Sequence, residues 1–246
     1  MFMPALIAIQ FLTIIPIRFK NIPTAQQNAL SLLFYPFVGL MIGTLLWGMA
    51  IELSHSPVIL AASLITTVWV VITGGLHLDG LADTADAWVG GYGDRERTLK
   101  IMKDPQSGPI GVLSLVLLVL LKFSAVYTLL DVHQYLVLLI IPMIGRLTAL
   151  FLLLSCLYVR PQGLGSLFLT GMPRIRLILL MLCCGLFLLG LFLWQAIILM
   201  AVVLLLWLGL RKLFIQRLGG VTGDTIGASI EIAECVAIFV MALLIS

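Results

Sequence analysis

The sequence predicts an all-α polytopic membrane protein of about seven transmembrane helices, carrying a cytoplasmic Asp-rich helical loop. Three observations predict it. The 246 residues are 62% hydrophobic and only 10% charged, against roughly 25% charged in a soluble domain. The mean hydropathy is +1.20, which leaves too little polar surface to cover a water-soluble globule. The apolar runs are continuous and Leu-rich instead of alternating, which favours helices that satisfy their own backbone over a β-barrel.

The elements follow in chain order. Met1–Ile17 is apolar, but it has no basic leading segment and no small-residue cleavage site, so it does not read as a signal peptide. It is short for a crossing and Pro16 ends it; an interfacial or re-entrant helix is expected. Seven later runs come near the ~20 residues needed to cross the hydrocarbon core. They are Leu30–Glu52, Pro57–Leu76, Pro109–Leu130, Tyr135–Val159, Ile175–Leu193, Gln195–Leu210 and Thr225–Ser246. The fifth and sixth form one apolar stretch, divided near Trp194-Gln195. Cys156, Cys183, Cys184 and Cys235 each lie in an apolar run and read as small hydrophobes packed in helices.

Charge supports this count. Arg18 and Lys20 precede the first run, and Arg95, Arg97, Lys100 and Lys103 follow the second. Arg160, Arg174 and Arg176 follow the fourth; Arg211, Lys212 and Arg217 follow the sixth. The intervening connections near Ser54–Ser56, Asp131–Gln134 and Trp194 hold no Lys or Arg. The alternation fits a cytoplasmic N-terminus and puts Leu76–Pro109 on the cytoplasmic face. The chain reads as one domain, 1–246, with its active segment at 77–108. Lys122 and Arg146 fall inside predicted spans, where a cation is costly and turns to the bundle interior or a polar cavity.

Six of the 11 acidic residues lie between positions 79 and 104: Asp79, Asp83, Asp86, Asp94, Glu96 and Asp104. Asp79, Asp83 and Asp86 are spaced i, i+4, i+7, which on a helix puts them within roughly 60° of one another. Three like charges on one face repel unless something positive lies between them. A hard divalent cation is the natural occupant, and Mg²⁺ is usual where a substrate brings phosphates. Asp94 is placed to cap a second helix running through RERTLKIMKD and stopping at Pro105. On it Arg97, Lys100 and Asp104 share a face that offers cations to phosphate and one further carboxylate to metal. Gly90, Gly91 and Gly93 supply the turn between the two helices. The alternative is a solvated loop, against which the helical spacing of the carboxylates argues. His77, beside this motif, reads more readily as a structural hydrogen-bonder than as a base.

A second polar stretch, GGVTGDTIGASIEIAE, places Asp224, Glu231 and Glu234 on one face of the last helix. Glu231 and Glu234 lie within an apolar span and need partners, either Arg146 or Lys122 or a second substrate. Capping by Thr222 or Asp224 together with an internal salt bridge is the structural alternative.

These residues resemble the cobalamin synthase (adenosylcobinamide-GDP ribazoletransferase) family. The resemblance rests on GGLHLDGLADTADA (Gly74–Ala87), RTLKIMKD (Arg97–Asp104) and GGVTGDTIGASIEIAE (Gly219–Glu234). FLTIIPI, FYPFVGLMIG (Phe34–Gly43), the Gly145-Arg146 pair and RPQGLG (Arg160–Gly165) extend it along the chain. The resemblance implies a Mg²⁺-dependent phosphotransferase of a bacterial or archaeal cytoplasmic membrane, its site facing the cytoplasm. A hydroxyl of α-ribazole or its 5′-phosphate would attack the phosphorus next to cobinamide in adenosylcobinamide-GDP, and GMP would leave. Asp79, Asp83, Asp86 and Asp104 are then the expected metal ligands and catalytic carboxylates, with Asp224 as a further ligand or base. Arg97, Lys100, Lys103, Arg146 and Arg160 are the expected phosphate and substrate contacts. The expected partners are these two small molecules and the bilayer, with no nucleic acid; a homo-oligomer is compatible with the sequence. Two departures stand out. Pro105-Gln106-Ser107 replaces a stretch in which the family has a basic residue, and Gln162 stands where an acidic one is frequent.

Two other classes compete. A phosphatidyltransferase using a CDP-alcohol would carry Arg where Asp83 stands, and a prenyltransferase would bind pyrophosphate through its aspartates. A transporter would use Lys122, Arg146, Glu231 and Glu234 as a pathway, but most acids lie at one surface and no mirrored pair of broken helices is visible.

Overall fold

A computed structural model describes residues 2–160 and 163–245; Met1, the Pro161-Gln162 pair of RPQGLG, and Ser246 lie outside the described residues. Among those described, the chain forms ten α-helices and two short 3-10 turns, with no strand beyond one isolated bridge. The helices are α1 (Met3–Leu12), α2 (Ala25–Ser31), α3 (Tyr35–Glu52), α4 (Val58–Ile72), α5 (Leu76–Gly90), α6 (Arg95–Ile101), α7 (Pro109–Asp131), α8 (Leu136–Ser155), α9 (Arg174–Leu218) and α10 (Gly223–Ile245).

Five helical segments are long and apolar enough to cross a bilayer: Ala25–Glu52, α7, α8, α9 and α10. The first joins α2 to α3 through a 3-10 turn at Leu32–Phe34. It begins five residues before the expected Leu30, where Thr24 and Gln27 form a reciprocal capping box. A sixth crossing is obtained if α4 and α5, bent by 84° at their junction, are taken as one broken span. Gly74 and Gly75 make that bend, with φ of +65° and +68°, a region open to glycine at little cost. The helix expected to reach Leu76 therefore stops at Ile72.

The break expected near Trp194-Gln195 falls at Leu193, whose φ of 46° and ψ of −116° leave the helical region. The two halves of α9 fold back on one another. A Cβ placed on Gly185 would lie 3.5 Å from Met200 Sδ, whereas a straight helix would hold those positions ~22 Å apart. α1 is a short apolar helix, packed through Ile7, Ala8 and Leu12. It ends at Leu12, ahead of Pro16, because Thr13 turns extended and the Ile14 N–H donates to Ile72 O at 2.9 Å.

α8 is the central helix, buried over most of its length, with α3 and α10 packed along it. Its Arg146 is wholly buried and pairs with Glu234 of α10. Lys122 of α7, also buried, donates to Glu231 at 2.6 Å and to Glu234 at 2.7 Å, and lies 4.4 Å from the centre of the Trp69 ring. Two cations and two carboxylates thus close a neutral network across three helices. The partner of Glu231 and Glu234, open between Lys122, Arg146 and a substrate, is both cations.

Removing one member of a buried ion group leaves a bare charge and costs about 3–5 kcal/mol, whereas replacing a matched pair with apolar residues is often nearly neutral. Glu231→Leu should therefore destabilise the protein strongly. The double variant Lys122→Leu/Glu231→Leu should recover most of that loss, because Arg146 and Glu234 still pair. Thermal unfolding in detergent measures both, and equal losses in the single and double variants would refute the network as described.

Candidate active site

The polar residues of this chain collect where helix ends meet. α5 packs against α7 and α10. Asp86 meets the start of α7 and Gly80 the start of α10, so the aspartates of α5 lie near the N-termini of both. The approach to α10 depends on Gly80: a Cβ there would come 2.7 Å from Asp224 O. The loop after α8 is joined to the strand-like residues before α10 by the bridge between Tyr158 and Val221. Val159 N donates to Val221 O at 2.9 Å and Val221 N to Leu157 O at 2.8 Å. This places Arg160 beside Asp224, with Nη1 to Oδ2 at 2.5 Å. Arg160 Nε and Nη2 are buried without partners.

Thr222 and Thr225 cap α10 between themselves. Thr222 N donates to Thr225 Oγ1 at 2.8 Å, and Thr225 N donates to Thr222 Oγ1 at 3.2 Å. Of the two capping candidates in the sequence, Thr222 therefore does the work, and Asp224 is left to face Asp79 and Arg160 across one cavity. Burial, then repulsion from Asp79 and Asp224, lifts the Asp83 carboxyl to about 6. A carboxylate crowded by like charges is a place prepared for positive charge.

The other expected residues are distributed as follows. Asp86 accepts from Gly108 N at 2.6 Å and from Gly111 N at 2.8 Å, so both its oxygens hold the start of α7. Asp94 caps α6 as the sequence suggests, accepting from Arg97 N at 3.1 Å. The helix closes at Ile101, before the expected stop at Pro105. Lys103 N and Asp104 N turn back to Lys100 O and Ile101 O, and the Asp104 carboxylate accepts from Gln106 N at 3.0 Å. Asp104 is therefore on an exposed turn and does not share a helical face with Arg97 and Lys100. Arg97, Lys100 and Lys103 are exposed. Arg146 does not line the cavity; it belongs to the buried network. Among the described residues, no three of His, Cys, Asp and Glu converge closely enough to hold a metal by themselves.

Sequence reasoning missed three contributors. Arg95 ties α6 to the end of α9 by donating from Nε to Leu218 O at 2.7 Å. Arg217 lies over Trp88 and Tyr92, 5.6 and 5.5 Å from their ring centres, and steadies the end of α5. Tyr158 reaches the cavity and accepts from Gly165 N at 3.2 Å. Single arginines at helix ends and a lone tyrosine carry no periodic signal by which to single them out.

A family model described as cobalamin-5-phosphate synthase matches residues 4–242. A relative from Acinetobacter baumannii is 49% identical over 243 residues, covering 96% of this chain and 95% of its own. Relatives from Ectopseudomonas mendocina (50% over 239 residues, 96% and 97% covered) and Pseudomonas putida (49% over 241 residues, 98% and 99% covered) are as similar. All three are named adenosylcobinamide-GDP ribazoletransferase. No solved structure matches the chain.

Because Asp86 serves as a cap, Asp86→Ala should cost about 1–2 kcal/mol of stability. Asp86→Ser, able to accept one of the two N–H groups, should keep part of it. Unchanged unfolding of Asp86→Ala would show that the carboxylate is free for another task.

Proposed function

The chain belongs to the cobalamin-5-phosphate synthase family, and we propose on that premise how its helix-end site transfers the cobinamide-phosphate group. The donor is adenosylcobinamide-GDP and the acceptor is α-ribazole or its 5′-phosphate; GMP leaves. This is the last step of cobalamin nucleotide-loop assembly. The observation that carries the reading is the grouping of Asp79 and Asp224 with Arg160 at one cavity, with Asp83 beside them and close enough to feel all three charges.

The donor set fits a hard divalent cation: carboxylate oxygens only, repelling one another, with too few converged to form a cage alone. Mg²⁺ is held in this way where one or two carboxylates are completed by substrate phosphates. Asp79 and Asp83 would hold it, and bound there it would neutralise the pyrophosphate and the charge developing on departing GMP. The remaining work belongs to the chain. Arg160 keeps Nη1 on Asp224 and turns its unpartnered Nε and Nη2 to a phosphate oxygen. Asp224 accepts the proton of the acceptor hydroxyl as its oxygen bonds to the phosphorus next to cobinamide. The phosphorus–oxygen bond to GMP breaks, and GMP keeps the bridging oxygen. The basic residues Arg97, Lys100 and Lys103 lie on the same side and draw the anionic donor to the mouth. The mouth faces the cytoplasm, where the Lys and Arg of the connecting segments collect.

Protein in detergent or nanodiscs should release GMP only with both substrates and Mg²⁺, lose this on chelation and regain it with added Mg²⁺. Asp224→Asn should lower kcat by about 10²–10⁴-fold with the donor KM little changed, whereas Arg160→Ala should chiefly raise the donor KM. Full turnover by Asp224→Asn would remove it from the base role, and GMP release untouched by Asp79→Ala would overturn the metal assignment.

A further inference from the structure

Below its charged mouth, the cavity of about 260 Å³ has a floor that the phosphate chemistry leaves unexplained. Phe11 of α1, Tyr35 of α3 and Phe168 of the 3-10 turn at Leu164–Phe168 line it. Phe168 meets Phe11 edge-on at 5.0 Å between ring centres and Tyr35 at 6.2 Å. The charged residues of the whole lining are Asp79, Arg160 and Asp224, and the rest of it is largely aromatic, aliphatic or glycine. Beside the tyrosine hydroxyls of Tyr35 and Tyr158, one imidazole stands in the lining. His77, on the first turn of α5, is 3% exposed, and its Nδ1 has no hydrogen-bond partner. A buried polar group without a partner is costly and calls for an explanation, and this one belongs to a ring that lines the cavity.

We infer that this floor seats the flat, apolar base of the acceptor nucleoside, with an imidazole N–H of His77 donating to the base's free ring nitrogen. The inference rests on the acceptor reading above and gives it a place and a specificity. The match is one of a flat apolar face against an aromatic and aliphatic wall with few polar groups. A dimethylbenzimidazole offers one free acceptor nitrogen and is otherwise apolar, and the polar rings of the lining are His77, Tyr35 and Tyr158. Guanine offers more donors and acceptors than these three side chains can meet, and those left unpaired would carry a cost. A corrin ring is larger than the cavity. With the base on the floor, the ribose lies at the mouth, where Asp224 and Asp79 stand. The FYPF segment and the N-terminal helix, which take no part in phosphate handling, thereby acquire a function as the aromatic walls.

Equilibrium titration of the full chain in nanodiscs, without metal, tests the assignment, with α-ribazole and adenosylcobinamide-GDP titrated separately. α-Ribazole should bind the unaltered protein and bind at least about tenfold more weakly to Phe168→Ala and to His77→Ala, a loss on the scale of one buried contact. His77→Asn, which keeps a donor, should recover part of the loss, and donor affinity should stay within about twofold throughout. Donor affinity that falls while α-ribazole binding holds would give the cavity to guanine and overturn the inference. Should a variant fail to fold, the unaltered protein decides. A diazirine carried on the benzimidazole should label peptides containing Phe11 or Phe168, and labelling confined to α6 or α7 would overturn the assignment. Binding and labelling as expected without any GMP release would sink the catalytic reading and leave this one standing.

Discussion

A charge inside a bilayer has no water to turn to, and this fold is arranged around that constraint. Lys122, Arg146, Glu231 and Glu234 lie on three helices, and each is neutralised only when those helices take one register. A shift of α10 by a single residue would rotate Glu231 and Glu234 away from both cations. The network therefore fixes α10 against α7 and α8, and the consequence is felt a few residues away. Gly80 can lie against Asp224 only at that register, where its missing Cβ leaves room for the backbone. The same four charges would have made a transport pathway. Bound to one another, they make a clamp.

Above the clamp the chemistry changes over little more than a turn of helix. Asp86 spends both oxygens on the first turn of α7, so it is a strut. Asp83, four residues from Asp79 on the same face, accepts no such bonds among the described residues and carries the repulsion of its neighbours. One spacing pattern thus yields a carboxylate held by backbone N–H groups and others that are not, and the difference is whether such groups are within reach. On the opposite wall the threonine cap of α10 has a parallel effect, because it relieves Asp224 of capping and leaves it to Arg160.

Much of this was legible in the sequence, for reasons that can be named. The apolar runs and basic connections give the helices, because hydrocarbon imposes a length and anionic leaflets impose a charge asymmetry. The i, i+4, i+7 spacing gives the acidic face, and Glu231 with Glu234 announces an internal partner. What was not legible depends on tertiary proximity. Nothing local distinguishes Asp86 from Asp83. Asp104 looks helical until its side chain takes the Gln106 N–H and the turn closes early. The break at Leu193 was expected within two residues from the length of the apolar stretch, although its own position carries neither proline nor glycine. The bend at Gly74-Gly75 falls inside a run read as one span to Leu76, and the direction of α5 beyond it depends on Gly80 meeting α10 and on Gly111 of α7 meeting α5.

The placement of a soluble-substrate reaction in a membrane follows from the same geometry. The cavity is lined from α1, α3, α5, α8 and α10, with the buried α8 at its centre. Lipid asks nothing polar of them, so all their small and aromatic residues are free to shape a dry recess next to a charged mouth. A soluble domain of this size would spend much of its apolar content on a core to hold itself together. Here the bilayer keeps the helices in place, and the mouth sits at the helix ends where phosphate and water meet. Such a boundary suits the acceptor placement proposed above: an apolar floor for the base, and beside it the carboxylates of Asp79 and Asp224.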